Sequence, residues 1–296
     1  MIKTTKQKAF SLVEISLVVL IIGILIAGIS NGIDLFKDIK IAKAQALTNS
    51  SRVSRVPDLL LWLDSVSLQA FDKLPTQNEK IAKWKDINPL SINKLEGYQT
   101  NDSFKPSYNY DSISGLPALK FNSACMRIDL NISYLVSPKI TVFAVFKING
   151  KNASSTFDPL FGNDNGNLDR FLMLINANGF SSGIMSMSSG FGLVTRAFNI
   201  ALDNPYYLTY VSQQGVADGS YVRYNGTSFA PHTENFNNAQ NSWINLGSDG
   251  DGIVANGGCD QLANFDIGEF IIYDRNLTAK EIVDIEAYLK KKWMLK

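Results

Sequence analysis

Residues 265–277 read FDIGEFIIYDRNL, and the segment at 278–293 that follows has the pattern of a short amphipathic helix. The stretch FIIY is rich in aromatic and β-branched residues, which is typical of a buried β-strand. Thr278 as the N-cap and Glu281 three residues later form a candidate capping box. The helix then carries an apolar stripe at Ile282, Ile285, Leu289 and Trp293.

Strand-like runs of the same kind continue upstream of this segment. They are VFAVF at 142–146, FLMLI at 171–175, YYLTYV at 206–211 and YVRY at 221–224. Clusters of Asn, Asp and Gly separate them, and Asn225-Gly226 predicts a tight hairpin turn. Many short strands without intervening helices indicate one antiparallel β-sandwich or jelly roll.

The composition excludes several kinds of chemistry. The 296 residues carry a net charge of +1, whereas a nucleic-acid-binding protein usually has a basic domain or stripe. A single histidine, His232, excludes a multi-histidine metal centre within one chain and is read as an exposed loop residue. Two cysteines are too few for a Cys₄ zinc site or a disulfide-dense scaffold.

The first 50 residues differ from the rest of the chain. A basic head at Lys3, Lys6 and Lys8 precedes nineteen uncharged residues at 15–33. About 20 apolar residues are what a helix needs to cross a bilayer, and the positive head favours a cytoplasmic N-terminus. A helical pattern continues to residue 46. A cleaved secretory signal and a plain single-pass anchor are the simpler alternatives.

Residues 9–14 read AFSLVE, and together with the apolar run they resemble the N-terminal segment of type IV pilins and type II secretion pseudopilins. The resemblance implies a leader at 1–9 and a prepilin peptidase that cuts between Ala9 and Phe10. It also implies N-methylation of Phe10. In the expected filament, Glu14 pairs with the ammonium of Phe10 on a neighbouring subunit during assembly.

The same resemblance implies an N-terminal pilin-like helix at 10–52 whose residues 12–33 span the bacterial inner membrane. The body would lie in the periplasm and later in a pilus or pseudopilus, with other pilin subunits as partners. Type IV pili, type II secretion and DNA-uptake machines share this segment. The expected fold class is therefore α+β: a long transmembrane spine helix, an antiparallel β-sandwich and a short C-terminal helix.

The body, at 57–296, also resembles a family. LLLWLD at 59–64, WKD at 84–86, GLPALKF at 115–121 and the segment at 265–277 resemble concanavalin A-like, laminin G-like sandwich domains of bacterial surface proteins. That resemblance implies a fold of two stacked antiparallel sheets. Members of the family often bind glycans or proteins, and some bind calcium, so a glycan or a surface protein is the expected ligand.

Few residues of the body are candidates for chemistry. Asp266 and Glu269 lie three apart, so a flat strand would place these carboxylates on opposite faces. The oxygen-rich loops at 163–169 and 249–252 are candidate calcium sites, although neither completes an EF-hand pattern. No other cofactor is expected. The tryptophans at 62 and 84 either fill the core or stack on sugar rings, and the core is favoured.

Cys125 and Cys259 both lie in the body, and an oxidising compartment would permit a disulfide between them. The function predicted from the sequence is a non-enzymatic minor pilin or pseudopilin-like subunit that displays a sandwich domain for adhesion or ligand binding. The alternative is a membrane-anchored glycan-binding module or a carbohydrate-active enzyme.

Overall fold

The computed structural model describes residues 12–130, 139–150, 152, 158–163, 171–174, 186–189, 193–195, 201–213, 215–228, 231, 233, 243–249 and 259–295. Within them lie two α-helices, α1 (Leu12–Ser50) and α2 (Ala279–Lys292), and sixteen strands. The strands are β1 (Leu59–Asp64), β2 (Lys83–Lys85), β3 (Glu96–Tyr98), β4 (Ser107–Ile113), β5 (Leu116–Asn122), β6 (Met126–Ile128), β7 (Ile140–Ile148), β8 (Pro159–Asn163), β9 (Phe171–Leu174), β10 (Ser186–Ser189), β11 (Leu193–Thr195), β12 (Pro205–Ser212), β13 (Tyr221–Tyr224), β14 (Thr227–Ser228), β15 (Ile244–Leu246) and β16 (Asn264–Tyr273).

The strands form two antiparallel sheets. Sheet A has the order β14-β13-β12-β7-β16-β5-β4, and β1 pairs with the second half of β16. Sheet B has the order β11-β10-β9-β8-β15-β6-β3-β2. The described part of the chain is thus mainly a β-sandwich, as the strand pattern predicted.

Aromatic side chains from both sheets fill the core. Phe121 and Phe265 stack with ring centroids 5.0 Å apart, and Phe161 of sheet B lies 5.2 Å from Phe270 of sheet A. Trp84 is completely buried, and Trp62 is 3% exposed. The prediction that these two tryptophans belong to the core is confirmed.

Two local predictions are also confirmed. Asn225 and Gly226 both have positive φ, 46° and 78°, which is the backbone of a tight turn between β13 and β14. Helix α2 begins with the capping box: the Thr278 hydroxyl accepts from the Glu281 amide, and the Thr278 amide donates to the Glu281 carboxylate.

The expectation that Asp266 and Glu269 lie on opposite faces is wrong. Asp266 pairs with Lys147 and Glu269 with Val145, so the register shifts by one residue at Gly268. This β-bulge puts both carboxylates on the same face of sheet A. Only glycine fits at the bulge, because a Cβ there would lie 2.3 Å from the Trp293 ring.

A buried cluster of three charges joins the sandwich to α2. The ammonium of Lys292 lies 2.7 Å from Asp64 of β1 and 2.8 Å from Glu269 of β16, and all three side chains are 0% exposed. The charges do not balance, because two carboxylates share one ammonium. Burial raises the pKa of Glu269, and the adjacent Lys292 opposes that shift.

Neutral donors complete this cluster. Glu269 accepts hydrogen bonds from the indole N–H groups of Trp62 and Trp293, at 2.7 and 2.8 Å, and from the Tyr288 hydroxyl at 2.8 Å. The hydroxyl of Thr48, near the end of α1, donates to Asp64 at 2.8 Å. The network therefore ties α1, β1, β16 and α2 together.

Helix α1 differs from the predicted transmembrane spine. No helix in the described part of the chain is long and apolar enough to cross a membrane. The predicted α+β fold with a transmembrane spine, its membrane-spanning segment at 12–33 and the single-pass inner-membrane location are therefore wrong.

The last part of α1 instead packs on the sandwich. Ala44 and Thr48 are buried, and the Gln45 side chain donates to the Val66 carbonyl at 3.0 Å. Before these contacts begin, α1 exposes large apolar side chains, including Leu12, Val19 and Phe36. The contacts of α1 with the sandwich are thus concentrated near its C-terminal end.

Replacing Lys292 with Met tests the buried cluster. The substitution removes the only cation from two buried carboxylates, so the free energy of unfolding should fall by about 3–5 kcal/mol. Lys291→Met is the matched control, because Lys291 is exposed on the same turn of α2. Denaturant unfolding of the full chain measures both; equal stabilities would contradict the role of Lys292.

The pH dependence of the Lys292→Met variant gives a second test. Glu269 already has a pKa above its ordinary value of 4.5, and loss of the ammonium should raise it further. A carboxyl group with a raised pKa in the folded state loses stability as the pH rises above its unfolded pKa. The deficit of the variant should therefore shrink as the pH falls towards about 4. A deficit that stayed constant with pH would contradict this account.

Candidate functional site

The outer face of sheet B, turned away from the core, carries an unusual set of side chains. In β6 and β15, Met126, Ile128, Ile244 and Leu246 point into the core and are buried. Because successive side chains alternate, Arg127 and Asn245 point outward. Tyr98 pairs with Arg127, and Arg127 pairs with Asn245, so the three form a row across β3, β6 and β15.

Asp129 and Trp243 lie one residue beyond the paired register of β6 and β15, next to this row. We call these five residues the outer-face cluster: Tyr98, Arg127, Asp129, Trp243 and Asn245.

Arg127 is the best-fixed member of the cluster. Its Nε donates to the Asp129 carboxylate at 2.6 Å, and its guanidinium carbon lies 4.2 Å from the centroid of the Trp243 ring. A guanidinium held both by a carboxylate and by an aromatic face has a defined plane. Its side chain is 24% exposed, and its two terminal nitrogens make no hydrogen bond to the residues described. Within the described part of the chain, Arg127 therefore holds unused N–H donors in a fixed direction.

Tyr98 supports the same carboxylate. Its hydroxyl donates to the second oxygen of Asp129 at 3.1 Å. Burial, together with this hydrogen bond, raises the pKa of Tyr98, so the hydroxyl stays protonated at neutral pH. The Tyr98 side chain is half-buried, and Asp129 is 56% exposed. The accessible end of the cluster thus lies at Tyr98 and Asp129.

Asn245 lies at the buried end of the outer-face cluster, away from Tyr98. It is 0% exposed, and within the described part of the structure neither its amide nitrogen nor its amide oxygen has a hydrogen-bond partner. A buried amide without partners is costly, because its hydrogen bonds to water are lost and not replaced. Its neighbour on the other side is Gly162 of β8, which contributes no side chain to the face.

A disulfide anchors the strand that carries Arg127. Cys125, directly before β6, is bonded to Cys259, with their Cα atoms 6.3 Å apart. The Gln99 side chain also donates to the Cys125 carbonyl at 3.2 Å. The predicted bond is confirmed. With a sequence separation of 134 between the cysteines, it contributes about 5 kcal/mol in the chain-entropy model.

The side chains predicted to take part in processing and filament assembly lie outside the described part of the structure. Ala9, Phe10 and His232 lie outside the described residues. Glu14 belongs to α1, but its side chain is also outside the description.

The candidate calcium loops are only partly described. Residues 164–170 and 250–258 lie outside the described set. Among the residues that are described, no group of three or more His, Cys, Asp or Glu side chains could hold a metal ion.

Asp266 and Glu269 share a face, but neither carboxylate is open to a substrate. Asp266 binds Lys147 at 3.1 Å, accepts from Asn149 at 2.8 Å and accepts from the Ser112 hydroxyl. It is 1% exposed, and all the partners of Glu269 belong to the buried cluster. Both carboxylates hold the structure of sheet A together.

Sequence reasoning missed the outer-face cluster. The only signal is Met126-Arg127-Ile128, in which apolar neighbours predict an outward arginine on a strand. Nothing in the sequence shows that Tyr98 and Trp243, about 30 and 115 residues away, meet this arginine. Their proximity follows from the strand order β15-β6-β3.

No protein-family model and no curated protein matches the chain. Solved structures do resemble it. A botulinum neurotoxin type C structure, from work on its interaction with two ganglioside molecules, has a TM-score of 0.51 at 12% identity. The binding domain of botulinum neurotoxin DC, solved in complex with SialylT, has a TM-score of 0.50 at 13% identity. A Trypanosoma rangeli sialidase, solved with a difluorinated sugar acid, has a TM-score of 0.50 at 12% identity.

These matches cover 82%, 78% and 81% of this chain, but only 53%, 51% and 34% of the respective solved chains. The chain therefore spans about half of each neurotoxin chain and about a third of the sialidase. At such low identity the likeness shows a shared β-sandwich fold. These three structures are sialidase and neurotoxin chains, not pilins. Together with the absence of a membrane-spanning helix in the described residues, this contradicts the pilin and prepilin interpretation.

A comparison of two buried asparagines, Asn88 and Asn245, tests whether the Asn245 side chain contributes to stability. Asn88 is 1% exposed; it donates to the Leu59 carbonyl and accepts from the Leu90 amide. Asn88→Leu should therefore lower the free energy of unfolding by about 2 kcal/mol or more. Asn245→Leu removes an amide without partners, so it should leave stability unchanged or raise it by about 1 kcal/mol.

Denaturant unfolding of the two variants measures the difference. If Asn245→Leu destabilises the chain as much as Asn88→Leu does, then Asn245 serves the fold and is no longer a candidate for the site.

Proposed function

We propose that this chain is a glycan-binding module without catalytic activity, and that it binds its ligand at the outer-face cluster. The observation that carries the proposal is Arg127: its guanidinium is fixed by Asp129 and Trp243, while its two terminal nitrogens make no hydrogen bond to any residue that the structure describes. Fixed donors next to an exposed carboxylate form a binding surface that is ready before the ligand arrives.

The chemistry of the cluster suits a sugar. A sugar presents hydroxyl groups, each of which can donate and accept hydrogen bonds, on a ring with apolar C–H faces. Arg127 supplies donors and Asp129 supplies acceptors. Tyr98 adds an aromatic ring at the accessible end, and an aromatic ring offers apolar area with little loss of side-chain freedom on binding.

The comparisons support the same ligand class. The related neurotoxin and sialidase structures are described with gangliosides, SialylT and a sugar acid. Their low identity transfers the fold alone, so the case for a glycan in this chain depends on its own cluster. A protein ligand remains the competing outcome, to be distinguished by experiment.

The non-catalytic part of the proposal is supported by the carboxylates of sheet A. Most glycosidases use two carboxyl groups on either side of the scissile bond. Asp266 and Glu269 are the described carboxylates that share a face on one strand. Both are buried and engaged by several donors. Freeing them for acid–base chemistry would require sheet A to open.

A glycan array probed with the purified full chain tests the proposal. Wild type should bind a defined subset of oligosaccharides. Arg127→Ala removes the fixed donors and should weaken that binding by about tenfold or more, the loss expected for a charge-assisted hydrogen bond. Tyr98→Ala should weaken it too, since it removes the ring and one support of Asp129.

Arg52→Ala is the matched control. Arg52 also forms a single ion pair, with Asp284 at 3.0 Å, but it lies outside the cluster and is 64% exposed. Its loss should leave glycan binding unchanged. Wild type that binds no oligosaccharide, or an Arg127→Ala variant that binds as wild type does, would contradict the proposed function.

A further inference from the structure

We infer that the outer-face cluster takes an uncharged sugar, whose neighbouring hydroxyl groups bridge Arg127 and Asp129, and that it discriminates against sugars bearing a carboxylate or sulfate. This inference rests on the proposed function and specifies its ligand class. It follows from three features of the cluster: its charge balance, its unused hydrogen-bonding groups and the position of Asp129.

The charges of this surface cancel. Arg127 is paired with Asp129, Lys83 of β2 with Glu96 of β3 at 2.7 Å, and Lys85 of β2 with Asp72. Among the described residues, three cations and three anions leave no net charge to attract an acidic ligand. A surface that selects acidic ligands usually has uncompensated positive charge.

The unused groups include both donors and acceptors. The terminal nitrogens of Arg127 donate only, and the oxygens of Asp129 accept only. Each Asp129 oxygen takes one hydrogen bond, from Arg127 or from Tyr98, and a carboxylate oxygen can accept a second. A pair of adjacent hydroxyls meets both needs, because one can accept from Arg127 while the other donates to Asp129. A carboxylate or sulfate meets only the first need.

Asp129 would also repel an acidic ligand. Its oxygen lies 2.6 Å from the Nε of Arg127, so an anion bound to the terminal nitrogens of the same guanidinium would stand close to a second negative charge. Water weakens this repulsion because Asp129 is more than half exposed, but the two charges would stand close enough for repulsion to persist. Asp129 is therefore the residue that sets specificity.

Asp129→Asn tests this role as a gain of function. The neutral amide keeps the size of the side chain but removes the repelling charge and the charge-assisted hydrogen bond to Arg127. The probes are matched sets of the same oligosaccharides in neutral, sialylated, uronate-bearing and sulfated forms. Wild type should prefer the neutral forms by about tenfold or more. In the variant, binding of neutral forms should fall and binding of acidic forms should rise, each by about fivefold or more.

Asp102→Asn is the control for the charge change alone. Asp102 is an exposed aspartate paired with Lys105, outside the cluster, and its loss should leave both kinds of binding as in wild type. Unchanged unfolding midpoints for both variants show that any change in binding is not due to misfolding.

The outcomes separate the two claims. Wild type that prefers acidic glycans, or an Asp129→Asn variant whose binding of acidic glycans does not rise, overturns the inference and leaves the glycan-binding function intact. Wild type that binds none of the four sets overturns the proposed function itself. Preference for neutral glycans in wild type, with the shift in the variant, supports both.

Discussion

The ammonium of Lys292, buried between Asp64 and Glu269, is the interaction on which the arrangement of this chain depends. It brings the last turn of α2 onto β1 and β16, which lie side by side in sheet A. Thr48 extends the same network to α1, and Trp62 and Trp293 close it on two sides. Removing Lys292 would leave two buried carboxylates without a cation, so this ammonium holds the elements in one arrangement.

The buried cluster of Lys292, Asp64 and Glu269 has a steric requirement as well as an electrostatic one. Trp293 reaches Glu269 only because Gly268 leaves room for its ring, and the bulge at Gly268 turns Glu269 towards α2. With α2 and the end of α1 covering the outer face of sheet A, the two sheets have different roles. Sheet A is largely covered, whereas sheet B keeps Arg127 and Asp129 accessible to a ligand.

The sequence predicted the features that depend on neighbouring residues. The capping box of α2 and the Asn225-Gly226 turn follow from residues within four positions of each other. The burial of Trp62 and the Cys125–Cys259 bond were also predicted, although the bond joins distant residues. In that case cysteine chemistry reduces the choice to a single pair.

Features that depend on the register between strands were not predictable. A one-residue bulge reversed the relative orientation of Asp266 and Glu269, and no sequence pattern marks it apart from Gly268 itself. The pairing of Tyr98 with Arg127 follows from a sheet order in which β6 lies beside β3 and β15. The N-terminal segment was mispredicted for a different reason. Its apolar pattern predicted a membrane-spanning spine, but no helix among the described residues is long and apolar enough to cross a membrane.

A glycan bound at Arg127 and Asp129 would change the surroundings of Trp243, so the chain offers a direct reporter of binding. Of its four tryptophans, Trp62, Trp84 and Trp293 are buried, whereas Trp243 is only partly buried and lies under the Arg127 guanidinium. The measurement is the indole N–H region of a ¹⁵N NMR spectrum while the neutral oligosaccharide with the strongest array signal is added. The account predicts that the Trp243 signal shifts in a saturable way and that the three buried indoles stay in place. A saturable shift of Trp62 or Trp293 with none at Trp243 would contradict it.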